Sequence, residues 1–287
     1  MTDEIKPTSP SSVRRFLQDN EFRPSKRLGQ NFLADLGSVN RIASVSGLQP
    51  GETCLEIGPG LGALTSALAL TAAKVVAVEV DGRLADAMRA QSAPTAHVEI
   101  IHADFLKWDM QGWLNSVDGK VRVVANIPYS ITSPIIEILL GHKDRLSGIT
   151  LLVQKEVAER ITASPGSDGY SSLTVFCAYH ADSRIVCKIA RHLFIPVPDV
   201  DSSVLTLTPK PSPLAPHDEE RFFKILRAAF QQRRKTVGNS LSDALTLPKS
   251  RVIEDLRTVG IDPSVRAEVL SLDDFVALAR ALDMTSS

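Results

Sequence analysis

From Leu36 onward, short apolar runs rich in β-branched residues alternate with amphipathic stretches of about ten residues. The runs at 53–57, 74–80, 98–102, 121–125 and 149–153 read as strands. The stretches at 38–46, 61–73, 82–91, 133–140 and 156–161 carry helical spacing. Strands alternating with helices predict an α/β fold with a mostly parallel sheet covered on both faces. Runs at 184–189 and 204–208 read as two later strands, for which an antiparallel sense is open. After Pro209-Lys210-Pro211-Ser212-Pro213 the texture shifts, and 218–284 shows only helical periodicity, at 221–232, 236–245, 251–259 and 272–282. That Pro-rich stretch is the expected boundary between a domain at 25–210 and a small all-helical one at 214–287. Residues 1–24, polar and rich in Ser and Pro, read as a mobile tail with a short helix near 13–20.

Composition narrows the classes. With 287 residues and 44% hydrophobic content the chain can bury two cores. No apolar run approaches a membrane span, and 1–7 holds no apolar signal segment, so neither membrane partner nor secretion is expected. Three cysteines (Cys54, Cys177, Cys187) form no CxxC pair, which fits buried thiols and a cytoplasmic location. Six histidines lack zinc-like spacing, and no metal is expected. The net charge of −1 conceals two basic clusters. One comprises Arg14-Arg15, Arg23 and Lys26-Arg27; the other is Arg233-Arg234-Lys235. Each reads either as a solvated face or as a patch for phosphates.

The chemistry-bearing residues fall where strands end, which is where ligands of such sheets sit. Gly58-Pro59-Gly60-Leu61-Gly62 stands between a strand and a helix and lets backbone approach a ligand closely. Glu79 ends the next strand, where a carboxylate accepts ribose hydroxyls. Together they indicate an adenosine-bearing cofactor. A dinucleotide needs Gly-x-Gly-x-x-Gly, but here the third glycine comes one residue early and Pro59 removes a donor. S-adenosylmethionine fits better. Asp104 could accept from the adenine amine of that cofactor, or it caps a helix or sits in a solvated loop. Asn126-Ile127-Pro128-Tyr129 follows the run Val121–Ala125. The Asn126 amide oxygen and a backbone carbonyl at Ile127/Pro128 can each accept one N–H of an exocyclic amine. The Tyr129 ring can stack on a base drawn out of its helix.

Taken together these motifs resemble the ribosomal RNA adenine N6-dimethyltransferases, most of all those of the bacterial small subunit (16S). The resemblance runs from about Arg23 to Leu241. It rests on Lys26-Arg27-Leu28-Gly29-Gln30-Asn31-Phe32-Leu33, Glu56 to Gly62, Asn126 to Tyr129, Gln154-Lys155-Glu156-Val157-Ala158, Phe194-Ile195-Pro196-Val197-Pro198 with Asp201-Ser202, and Gln232-Arg233-Arg234-Lys235-Thr236. It implies a Rossmann-like methyltransferase fold that takes methyl groups from S-adenosylmethionine to adenine N6. It implies that Asn31, Leu33, Gly58, Gly60, Glu79, Asp104 and Asn126 line the cofactor site. It also implies that Asn126, the Pro128 carbonyl, Tyr129 and Phe194 hold the target base. By residues alone, Phe194 reads equally as a core aromatic. Lys26, Arg27, Arg233, Arg234 and Lys235 are expected at RNA phosphates, the last three on a helical segment. Two positions depart from the family pattern: Asp199 replaces a usual Lys, and Gly238 a larger residue. Two other functions stay open: an assembly checkpoint factor acting by binding, or a large-subunit dimethylase of the antibiotic-resistance type. A monomer is expected.

Overall fold

The computed structural model describes residues 8–92, 96–232 and 234–282. Contacts divide the chain into two compact units, one of residues 1–158 and 183–209, the other of 159–182 and 210–287.

The first unit is built on a seven-stranded sheet. Its strands are β2 (Thr53–Ile57), β3 (Lys74–Glu79), β4 (Val98–His102), β5 (Val121–Asn126), β6 (Leu146–Gln154), β7 (Ala181–Ile189) and β9 (Ser202–Pro209), in the order β4-β3-β2-β5-β6-β9-β7. The first five run parallel and β9 lies antiparallel to β6, with Gln154 opposite Ser202. Helices α2 (Leu36–Val45), α3 (Ala63–Leu68), α4 (Gly82–Ser92), α5 (Met110–Asn115) and α6 (Thr132–Gly141) alternate with the strands. Central strands buried on both faces need continuous apolar sequence, and Val123, Val124 and Ala125 are fully buried. Helix α3 stops five residues before the expected 73. The Ala73 N–H turns back to the Glu52 carbonyl, feeding β3.

Two short pieces that the periodicity did not reveal hold the amino-terminal segment. Strands β1 (Phe32–Leu33) and β8 (Phe194–Ile195) pair antiparallel, with Leu33 opposite Phe194. The expected mobile tail is corrected from Pro10 onward; residues 1–7 lie outside the described residues. Helix α1 (Pro10–Asp19) opens with a Ser9–Ser12 capping box, which satisfies otherwise orphaned N–H groups. It buries Val13, while Phe22 beyond it packs on Phe32, Leu61 and Leu84. Arg83 lies 4.4 Å over the Phe22 ring.

The second unit is helical, with α8 (Ser172–His180), α9 (Pro216–Phe230), α10 (Val237–Leu245), α11 (Lys249–Thr258) and α12 (Leu272–Ala281); α7 (Lys155–Ile161) crosses its boundary at 158/159. Its core is aromatic: Tyr179 and Phe222 lie 4.4 Å apart, Phe230 and Phe275 5.9 Å. Helix α8 is apolar nearly all round, so no amphipathic stripe marks it. Through Val175 and Tyr179 it belongs to this core. The Pro-rich boundary therefore marks only the second entry into the helical unit, and 159–182 is a first excursion into it. Among the described residues, no helix is long and apolar enough to cross a membrane.

Candidate active site

At the carboxyl edge of the parallel strands, residues 28–33, the glycine turn, Glu79, Val80 and Asn126–Tyr129 wall one cleft. Strand β2 ends at Ile57, and Gly58, Gly60 and Gly62 then all take positive φ (67°, 59° and 78°). A Cβ at Gly60 would stand 3.1 Å from the Phe32 ring. The turn is thus pressed against the amino-terminal segment, and glycine is required there by both conformation and space.

Two buried acids sit below this turn. Glu79 is 4% exposed; one oxygen accepts the Gly60 N–H at 3.1 Å and the other the Asp81 N–H at 2.9 Å. Burial raises its pKa, which those N–H groups partly offset. Glu56, which sequence reasoning quoted only as part of a motif, is 1% exposed and has no partner for Oε2 among the described residues. Burial pushes its carboxyl up to about 8; the Thr65 hydroxyl pulls it down and the Glu79 charge pushes it further up. The signal was present in the sequence as an acid inside the apolar run Cys54-Leu55-Glu56-Ile57.

The amino-terminal segment is tied to both sides of the cleft. Gln30 accepts from the Ser25 N–H at 2.7 Å and donates to Asp81 at 3.1 Å. Asn31 donates to the Gly29 carbonyl, and its own carbonyl accepts Asn126 Nδ2 at 3.3 Å. That last bond sets the Asn126 amide: its nitrogen is used on Asn31, leaving Oδ1 as acceptor. Pro128 (φ −59°, ψ 132°) starts the 3-10 turn Tyr129–Ile131, and its carbonyl takes the Ile131 N–H at 3.3 Å. A carbonyl has a second lone pair, so this group can accept again. Tyr129 Oη lies 2.6 Å from Ser202 Oγ. Burial raises the phenol pKa, Ser202 lowers it and the Asp201 charge raises it.

Asn31, Leu33, Gly58, Gly60, Glu79, Asn126, Pro128 and Tyr129 therefore meet around one cleft. Two expected residues do not. Asp104 stands beyond the end of β4, off this wall, with Oδ1 accepting the Leu106 N–H at 3.1 Å and Oδ2 3.6 Å from Lys107 Nζ. Its side chain is 40% exposed, so this capping bond leaves room for a further hydrogen bond from the adenine amine. Phe194 is fully buried against the core that contains Leu33, Val39 and Ile42. Its ring is not a stacking surface in this structure. Burying a phenylalanine side chain contributes about 1.5–3 kcal/mol, and pairing with β1 holds it there.

Among the expected phosphate contacts, Lys26 and Arg27 are exposed, as are Arg14, Arg15 and Arg23 beside them. Arg233 lies outside the described residues. Arg234 is exposed, while Lys235 is ion-paired with Asp243 at 2.7 Å. Arg234 and Lys235 occupy the connection between α9 and α10, not a helix. Among the described residues no cluster of His, Cys, Asp and Glu could hold a metal ion, and the three cysteines are buried.

Known proteins are similar to this chain over nearly its whole length. The family profile for ribosomal RNA adenine dimethylase matches residues 21–283. Ribosomal RNA small subunit methyltransferase A of Moorella thermoacetica is 40% identical over 282 residues, covering 96% of this chain and 98% of that protein. The protein of the same name from Bacillus cereus is 41% identical over 281 residues, 96% of each. Among solved structures, a dimethyladenosine transferase from Plasmodium falciparum aligns with a TM-score of 0.75 at 27% identity, over 86% of this chain and 95% of that one. The 23S rRNA methyltransferase ErmE aligns with a TM-score of 0.69 at 30% identity, over 88% and 99%.

Proposed function

Because this chain belongs to the ribosomal RNA adenine dimethylase family, we propose that it methylates N6 of adenines in small-subunit (16S) ribosomal RNA, giving N6,N6-dimethyladenosine during subunit biogenesis. The enzyme is an S-adenosylmethionine-dependent methyltransferase. The small-subunit target is supported by relatives of that name at 40–41% identity over nearly the whole chain, against 30% for the 23S enzyme. A ribosomal RNA substrate supports a cytoplasmic location, and a monomer is proposed with it.

The cleft fits the cofactor. It offers a glycine cradle that a Cβ would fill at Gly60, a buried acid at the end of β3, and an unpartnered carboxylate oxygen at Glu56. Glu79 would hold the ribose hydroxyls, Asn31, Leu33, Gly58 and Gly60 would wall the site, and Glu56 would face a positive charge. When bound, S-adenosylmethionine supplies a methyl group on a cationic sulfur, whose departure needs no acid.

One observation carries the proposal: Asn126 Nδ2 is committed to the Asn31 carbonyl, which aims Oδ1 as an acceptor on the wall shared with the glycine turn. An aromatic amine is a poor nucleophile because its lone pair is delocalised into the ring. Acceptors at Asn126 Oδ1 and the Pro128 carbonyl would take its two N–H groups, favour a pyramidal nitrogen and orient it. Orientation of this kind supplies up to about 7–11 kcal/mol of barrier reduction in well-placed systems. Tyr129 would stack on the flipped base, worth roughly 1–3 kcal/mol. The exposed cations Arg14, Arg15, Arg23, Lys26 and Arg27 would meet phosphates, which position RNA without reading it.

The test supplies methyl-labelled S-adenosylmethionine with unmodified small subunits and, separately, large subunits, and identifies the nucleoside by mass spectrometry after nuclease digestion. N6,N6-dimethyladenosine from the small subunit alone is expected. Product only from large-subunit RNA would move the target, and no label from either would return the chain to a binding role.

A further inference from the structure

Tyr129 begins a 3-10 turn at the lip of the cleft, and its ring touches no other aromatic ring among the described residues. A stacking platform left to rotate would lose side-chain entropy at each encounter with a base. Here the far end of the ring is held instead, by the 2.6 Å bond between its hydroxyl and Ser202 Oγ.

The sheet topology explains how Ser202 comes to be there. Strand β6 lies between β5 and β9, and β9 is antiparallel to it with Ser202 opposite Gln154. The first residue of β9 is thereby delivered to the edge where the parallel strands end, and the phenol spans the end of β6 to reach it. Ser202 is fully buried. The residue before it is anchored twice: the Asp201 carbonyl accepts the Lys155 N–H at 3.0 Å and Asp201 Oδ1 the Arg191 N–H at 3.0 Å. The hydroxyl therefore stands on backbone that cannot follow the ring.

We propose that Ser202 is a positioning residue, whose hydroxyl clamps the Tyr129 phenol so that the ring is presented as a preset platform for the target adenine. This rests on the reading of Tyr129 as the base-stacking residue. Both methyl transfers depend on the clamp, since the base must be held for each.

Full-length Tyr129→Phe, Ser202→Ala, the double variant and Tyr129→Ala would be compared in methylation of unmodified small subunits. The cofactor dissociation constant and thermal midpoint would be measured alongside. Tyr129→Phe and Ser202→Ala should each lower kcat about 3–10-fold with cofactor affinity unchanged. The double variant should be no worse than either single, because one shared bond is lost once. Tyr129→Ala should fall further, by about 5–150-fold. A Ser202→Ala loss that persists in the Tyr129→Phe background would overturn the clamp, because Ser202 would then act elsewhere. Wild-type rates in both single variants with Tyr129→Ala impaired would also overturn it and leave the stacking reading standing. A wild-type rate in Tyr129→Ala would remove the stacking reading itself. Should Ser202→Ala unfold, Tyr129→Phe still decides, since it removes only the oxygen.

Discussion

Replacing Glu56 by Gln removes a carboxyl whose protonation changes on folding while nearly keeping its shape. The group titrates near 4.5 when unfolded, and burial pushes it up to about 8 in the folded protein. Between these values the native state keeps a proton that the unfolded chain has released. Stability then falls as pH rises, by about 1.4 kcal/mol per pH unit. From roughly pH 5.5 to roughly pH 7.5 this single group should remove on the order of 3 kcal/mol. The Gln variant lacks that loss, so the difference between variant and wild type should widen by the same amount in the variant's favour. Urea unfolding at the two pH values reads it. Both tryptophans, Trp108 and Trp113, lie in the unit that contains Glu56, so their fluorescence follows the right transition. Parallel pH profiles would refute the buried, proton-holding carboxyl. A second reading comes from calorimetry of S-adenosylmethionine in buffers of different ionisation enthalpy. A cation entering beside Oε2 should expel the proton, and the Gln variant should release none.

Asn126→Ala should reduce turnover by at least about 100-fold, if positioning supplies even a few of its possible kcal/mol, with RNA binding retained; near-normal methylation would sink the amine-holding role. In Gly60→Ala the new Cβ meets the Phe32 ring at 3.1 Å with φ at +59°, and cofactor affinity should drop at least about 5-fold, a strain of about 1 kcal/mol or more. Equilibrium binding of the cofactor checks this. Neutralising Lys26 and Arg27 together should weaken binding to small subunits and reduce the salt dependence of log K by about 2. An unchanged slope would assign them to a solvated face. Phe194→Ala should cost about 3–5 kcal/mol in unfolding of its unit; lost turnover at unchanged stability would return that ring to the cleft.

How far these positions were legible follows from the range of the interactions that set them. The glycine turn, Glu79 and Asn126 could be read because each ends a strand announced by its own neighbours, and the parallel sheet then aligns the ends. Phe194 could not be settled, because an aromatic ahead of a proline turn has one local signature whether it faces solvent or core. What decides is β8 pairing with β1 across more than half the chain. Ser202 stood in a quoted motif without a role, since only the antiparallel insertion of β9 brings it to the cleft edge. A short amino-terminal helix was legible but not its docking, because its outward face is polar; Val13 and Phe22, with Phe16 and Leu17 beside them, anchor it to partners distant in sequence. Helix α8 escaped for the opposite reason, being apolar on nearly every side.

The β1–β8 pairing also carries a consequence for synthesis. The cleft wall at 28–33 leaves the ribosome first, but the strand that anchors it, Phe194–Ile195, emerges only after the five parallel strands are made. A nascent chain therefore holds the glycine turn and both buried acids long before it holds a closed cofactor site. Its β1 segment, with Phe32 and Leu33, stays unpartnered through most of translation. Until residues 194–195 emerge, about two-thirds of the way through synthesis, the segment at 28–33 lacks the strand that anchors it beside the glycine turn.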